Sequence, residues 1–208
     1  MHDAVIFDCD GTLVDSEGLS AEVFCELLAE LGHLTDPVDI LARFRGQQFA
    51  KSLEELRERF GALPEAFGDT FRARTLEVYR ERLTEIAGAA SLLQAMTHPA
   101  CVASNAPRHK IALCLEAAGL ARFFPESRVF SAYEVGAWKP DPRLFLHAAE
   151  TMGAAPARCL VVEDSAPGVA AGLAAGMRVV ALVHEEAAPW LPQGVPAIRS
   201  LPELLTLL

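Results

Sequence analysis

The chain has 208 residues, 51% hydrophobic and 22% charged, with a formal net charge of −10. That length suits one large domain or a core domain with a smaller insert, and the apolar content is enough for a sizeable core. The acidic excess speaks against nucleic acid and against an anionic membrane surface as partners, but leaves room for a small anionic substrate if positive charge is focused locally.

The chain opens MHDAVIF, without a basic n-region or a long apolar core, so no export signal is expected. Residues 4–8 (AVIFD) are continuously apolar up to Asp8, the pattern of a strand covered on both faces. From 17 to 86 the character changes to four helical segments, 18–32, 36–46, 48–61 and 64–83, with no strand-like run among them. Short apolar runs then return at 100–104 (ACVAS), 128–131 (RVFS), 159–164 (CLVVED) and 178–183 (RVVALV). Helical segments separate them. Residues 105–119 carry Pro107 in an expected first turn and Gly119 at the stop; 141–153 have Asp141 as N-cap, Pro142 at the first helical position and Gly153 at the end. Residues 165–176 run from a cap at Ser165 or Asp164 to Gly176, and 185–196 read as a surface loop before a last short strand and helix. Strand-helix alternation of this kind predicts an α/β fold with a parallel, doubly wound sheet: a core of residues 1–15 and 87–208 interrupted by a helical module at 16–86. An insert placed so soon after the first strand would overhang the sheet's C-terminal edge, where ligands bind, and is a candidate lid. No run approaches the roughly 20 apolar residues of a membrane span. The five cysteines have no CxxC spacing, which suits small hydrophobes in a reducing cytoplasm.

Chemistry concentrates where strands end. Asp8 and Asp10, at i and i+2, emerge on one side of the first strand, and Gly11 permits a sharp turn behind them. Two carboxylates so close ask for a compensating cation, for which a hard divalent ion such as Mg²⁺ is suited. Glu163 and Asp164 end another core strand; Asp164-Ser165 taken alone is explained by a plain N-cap. Ser104 and Asn105 precede a helix N-terminus, a natural anion site. Lys139, one of only three lysines, stands between Trp138 and Pro140 and offers fixed positive charge for a phosphoryl group, although alone it equally fits a solvated loop.

This set resembles the haloacid-dehalogenase superfamily of aspartyl-nucleophile phosphotransferases. DCDGT (8–12), Ser104 in SN, Lys139 in WKP and Glu163-Asp164 in EDS appear in that family's order, over essentially the whole chain. SN, KPDP and EDSxxG resemble the β-phosphoglucomutase and sugar-phosphate phosphatase group, and the helical insert its small cap. The resemblance implies Asp8 as nucleophile and Asp10 as acid and base. It implies Mg²⁺ held by the Asp8 carboxylate, the Asp10 main-chain carbonyl and Asp164, with Glu163 a ligand directly or through water. Ser104 and Lys139, with Asn105 beside them, would hold the phosphoryl oxygens. The implied activity is hydrolysis of a small phosphate monoester by a cytoplasmic monomer or weak homo-oligomer. In the cap, Arg45 and Arg72 are candidate substrate contacts, with solvated helix residues as the plain alternative. A phosphosugar mutase is the second candidate; Ser20 stands where such mutases carry a histidine, which favours hydrolysis. A catalytically idle binding module is the third, and the intact Asp8, Asp10, Lys139 and Asp164 argue against it. No GxxxxGK[ST] stretch occurs, so a P-loop is excluded.

Overall fold

The computed structural model describes residues 2–44, 47, 49–184 and 188–208. The elements follow one another as β1 (Ala4–Phe7), α1 (Glu17–Glu30), α2 (Pro37–Phe44), α3 (Phe49–Phe60), α4 (Phe67–Arg82), α5 (Ala89–Ala95), β2 (Ala100–Ser104), α6 (Arg108–Ala117), β3 (Val129–Ser131), α7 (Ala132–Val135), α8 (Arg143–Thr151), β4 (Cys159–Glu163), α9 (Ala166–Ala174), β5 (Arg178–Leu182) and β6 (Ala197–Ile198). The strands form one sheet in the order β3-β2-β1-β4-β5-β6, and every pairing is parallel.

Continuously apolar strands are explained by a core on each face. Val5 and Phe7 of β1 join Val102, Leu160 and Val180 in a cluster with Ile111 and Leu115 of α6 and Leu92 of α5. Ala4 and Ile6 turn the other way, to Ala103, Val161 and Val179, under Leu144 and Phe145 of α8 and Val169 of α9. Sheet order reverses direction about β1, so the crevice beyond the C-terminal ends of β1, β2 and β4 is the position where open α/β sheets bind ligands.

Helices α1 to α4 have their own apolar centre, in which Phe24 stacks on Phe71 at 3.9 Å between ring centroids, with Leu28, Ile40, Leu56 and Phe67 buried around them. The chain leaves the sheet and returns to it along paired backbone: Asp15 N–H donates to the Thr84 carbonyl (3.0 Å) and Ile86 N–H to the Leu13 carbonyl (2.9 Å). Asp15 itself is exposed.

Local details differ from the sequence expectation at several places. Pro107 is the N-cap of α6, with extended backbone, rather than a residue of its first turn. Helix α8 begins at Arg143 with Pro142 as its N-cap, one residue later than expected; Asp141 still caps it, because its Oδ1 accepts from Arg143 N–H at 2.9 Å. Helix α5 was not marked by any stop or cap in the sequence, and the last helix, Leu201–Thr206, is 3-10 rather than α. No helix among the described residues is long and apolar enough to cross a membrane. All five cysteines are free thiols, and burial raises those at 9, 101, 114 and 159 above the usual thiol range.

Candidate active site

A cleft of about 550 Å³ between the sheet edge and the helical insert brings together Asp8, Asp10, Ser104, Asn105, Lys139, Glu163, Asp164 and, from α4, Arg72. Arg45 lies outside the described residues. Strand ends deliver the core members except Lys139, which the sequence placed at a strand end and which lies instead in the loop between α7 and α8, beyond β3. Asp8 extends β1, its N–H donating to the Val162 carbonyl of β4 (3.0 Å), which sets the β1 end beside Glu163 and Asp164. Ser104 closes β2 and is buried; its Oγ accepts from Ala106 N–H at 3.1 Å.

Lys139 is the hub. Its Nζ lies 2.5 Å from Asp8 Oδ1 and 2.7 Å from Glu163 Oε1, with only 3% of the residue exposed. Asn105 fixes its main chain, Oδ1 accepting from Lys139 N–H at 2.8 Å. Both Glu163 oxygens are taken: Oε1 by Lys139, Oε2 by Ser165 N–H (2.9 Å) and Oγ (2.8 Å). Ser165 is also the α9 N-cap, accepting from Gly168 N–H, which leaves Asp164 free of capping duty. Burial pushes the Asp8 carboxyl up to about 7 against the pull of Lys139, while Lys139 itself stays well above its ordinary range because burial is outweighed by Asp8 and Glu163.

Asp164 receives a hydrogen bond from Thr12 Oγ1 (2.8 Å), and a Cβ at Gly11 would fall 2.2 Å from its Oδ2. Gly11 has φ +77°, so glycine here serves both the turn and the close approach. Burial, reinforced by the charges of Glu163, Glu17 and Asp8, raises the Asp164 carboxyl well above its normal range. Three buried carboxylates, Asp8, Glu163 and Asp164, thus face a single ammonium at Lys139. No group of three His, Cys, Asp or Glu side chains forms a ready-made metal cluster among the described residues. Two buried hard carboxylates, Asp8 and Asp164, with an excess of negative charge around them nonetheless fit a hard divalent cation.

A family model for haloacid dehalogenase-like hydrolases matches residues 2–176. The chain belongs to that family. Among curated relatives of this hydrolase, 6-phosphogluconate phosphatase of Escherichia coli (strain K12) is 37% identical over 180 residues, covering 85% of this chain and 80% of the relative. Hexitol phosphatase A of the same organism is 32% identical over 209 residues, covering 96% and 91%. A crystal structure of a HAD family hydrolase from Deinococcus radiodurans R1, with bound phosphate and sodium, superposes with a TM-score of 0.81 at 35% identity, covering 98% of this chain and 93% of that one.

On the cap side of the hydrolase, Arg72 lines the cleft, stacks over the Phe49 ring at 4.6 Å and pairs with Asp69 at 2.9 Å, largely exposed. Thr75, one turn on, lines the same wall; its Oγ1 is buried without a hydrogen-bond partner among the described residues. Ser20 also faces the cleft, sharing a 2.6 Å hydrogen bond with Tyr79. His109 stands exposed on the rim, and Lys51 is exposed on α3.

Sequence reasoning missed three polar groups here. Lys110 pairs with Asp10 at 2.9 and 3.1 Å, Thr12 holds Asp164, and His184 shares a 2.7 Å hydrogen bond with the Gly11 carbonyl. The scarcity of lysine was the one available signal for Lys110; contacts at separations of 100 to 173 residues have none.

Proposed function

We propose that this hydrolase is a Mg²⁺-dependent phosphatase of small phosphate monoesters, of the sugar-phosphate or sugar-acid-phosphate class, working through an aspartyl-phosphate on Asp8. The observation that carries the reading is the division of charge: Asp8 sits with Lys139, Asp164 and Glu163, while Asp10, two residues on, is held on a separate ammonium. One carboxylate is thereby set up as nucleophile and the other as proton carrier.

An oxygen of Asp8 attacks phosphorus, the ester P–O bond breaks, and Asp10 gives a proton to the departing oxygen. A water molecule then attacks the aspartyl-phosphate as Asp10 takes its proton; the P–O bond to Asp8 breaks and inorganic phosphate leaves. Lys139 and Ser104 supply positive charge and a hydroxyl to the phosphoryl oxygens, as phosphoryl transfer requires. Asn105 contributes by holding the Lys139 main chain. Mg²⁺ would be held by the Asp8 and Asp164 carboxylates and the Asp10 carbonyl, and would supply charge neutralisation for the incoming phosphoryl group. Glu163, with both oxygens occupied, serves chiefly to fix Lys139. Helices α1 to α4 form the cap, and Arg72 is its candidate contact to an anionic or hydroxylated far end of the substrate.

The test is inorganic phosphate release, with Mg²⁺, from a panel of 6-phosphogluconate, hexitol phosphates, phosphoglycolate, hexose 1-phosphate and p-nitrophenyl phosphate. Steady release without a bisphosphate activator is expected, removed by EDTA and by Asp8→Asn. Isomerisation of hexose 1-phosphate outpacing hydrolysis would establish a mutase instead, and activity surviving Asp8→Asn would refute the nucleophile.

A further inference from the structure

The cleft holds a second, half-buried lysine that none of the strand-end motifs contains. Lys110, in the first turn of α6, donates to both oxygens of Asp10, at 3.1 Å to Oδ1 and 2.9 Å to Oδ2. Ser16 Oγ donates to Asp10 Oδ1 as well, at 2.6 Å. Oδ1 is therefore doubly occupied, whereas Oδ2 accepts from Lys110 alone and keeps capacity for another proton partner.

The lysine is itself held in place. Its ammonium lies over the Tyr79 ring at 5.6 Å, a cation–π distance, and only 26% of its side chain is exposed. Tyr79 is fixed in turn, its hydroxyl donating to the Ser16 carbonyl at 3.1 Å and sharing a hydrogen bond with Ser20. A lysine that served only as a solvated surface charge would have neither a two-oxygen contact nor a buried ring beneath it. Nor does the pair resemble the other one: Lys139 is shared between two carboxylates, while Lys110 is committed to Asp10.

We propose that Lys110 is the positioning residue for Asp10: its two-oxygen contact sets the carboxylate's orientation, so that Oδ2 is aimed at the oxygen whose bond to phosphorus breaks. The inference rests on the phosphatase reading, in which Asp10 carries that proton. It adds that the efficiency of proton delivery depends on a residue 100 positions away on α6.

The experiment compares kcat/KM, which covers steps up to ester cleavage, for two leaving groups. One is the alkyl phosphate of the panel that the wild type turns over fastest, whose alkoxide needs a proton to leave. The other is p-nitrophenyl phosphate, whose nitrophenolate leaves without one. Lys110→Met is expected to lower the alkyl-to-aryl ratio of kcat/KM about tenfold or more, in line with the cost of misplacing a catalytic group. KM for the alkyl ester should stay within about twofold of wild type, since the loss belongs to the chemical step. Lys110→Arg, which keeps the charge but moves the donors, should lower the same ratio by a smaller factor, and it carries the test should Lys110→Met fail to fold. Equal loss on both esters overturns the proposal in favour of a merely structural ion pair. No loss on either, or a rise confined to KM, overturns it as well. Failure of the underlying reading looks different: the wild type itself would then release no phosphate from any ester.

Discussion

Asp8 and Asp10 are separated by one residue just beyond β1 and line the same cleft, yet they have different neighbours. Asp8 meets Lys139 in a nearly closed pocket, and Asp10 meets Lys110 and Ser16 toward the insert. Burial would raise Asp10, but Lys110 and the hydrogen bond from Ser16 hold its carboxyl below the usual range. Two like groups with environments that push them apart is the arrangement that assigns separate roles to a pair of acids. Thr12 is a smaller example: its buried hydroxyl donates to Asp164. Outer contacts of this kind orient a metal ligand, and removing them costs about 10–100-fold in metal affinity. Thr12→Val should accordingly weaken Mg²⁺ binding by about tenfold in isothermal titration calorimetry, with the fold unchanged. An unchanged affinity would remove Thr12 from the site.

Elements explain why those residues converge. Most core groups come from the C-terminal end of a parallel strand or the turn just after it, where a short loop must reverse the chain into a helix; Lys139 is the exception, reached only after α7, in the loop before α8. The start of α9 shows how tightly one such turn is built. Ser165 caps the helix and binds Glu163, and Gly168 leaves the space that the Glu163 carboxylate fills: a Cβ there would meet that group at 1.8 Å. Gly168→Ala forces Glu163 to move, and overpacking of this sort costs about 1–3 kcal/mol. A fall in Tm of several degrees is expected, measured by thermal unfolding, together with a lower kcat/KM because Lys139 loses its anchor. Wild-type Tm and activity would mean that Glu163 is not held as described. Helix α4 plays the corresponding part on the other side of the cleft, with Arg72, Thr75 and Tyr79 on the face that lines it.

For the molecule as a whole, sheet order and charge act together. The reversal about β1 opens a crevice at the centre of the sheet, and the insert, with its separate aromatic core, stands over it. The chain carries −10 overall, and at the cleft floor two buried carboxylates, Asp8 and Glu163, share Lys139 while a third, Asp164, is bonded to the Thr12 hydroxyl. Such a site favours a neutralising cation, and on the proposed Mg²⁺-dependent reading metal binding is coupled to stability. At 100 times its Kd a ligand of the native state adds about 2.7 kcal/mol. Saturating Mg²⁺ should therefore raise the Tm of the wild type by about 5–10 °C, and should leave Asp164→Asn nearly unmoved. Equal shifts in both proteins would place the ion elsewhere.

The sequence alone was enough for the strands, the parallel doubly wound architecture, the helical insert and a set of seven polar residues that line one cleft. Those features are carried by local signals: continuous apolar runs, caps and stops, acids placed where strands end, and a scarce lysine. Cys9, between Asp8 and Asp10, turns away from them into the core, where it lies buried. Tertiary structure decided what each polar group does with its neighbours. Asn105 reads as an anion ligand in the sequence and is found holding the Lys139 main chain; Glu163 reads as a metal ligand and is found with both oxygens engaged. Lys110 has no sequence neighbour that hints at Asp10, and the two meet only because α6 packs beside β1 and α4. Apolar periodicity is a property of consecutive residues and survives in the sequence; the pairing of charges depends on which distant strand ends the sheet order makes adjacent, and that exists only in the folded chain.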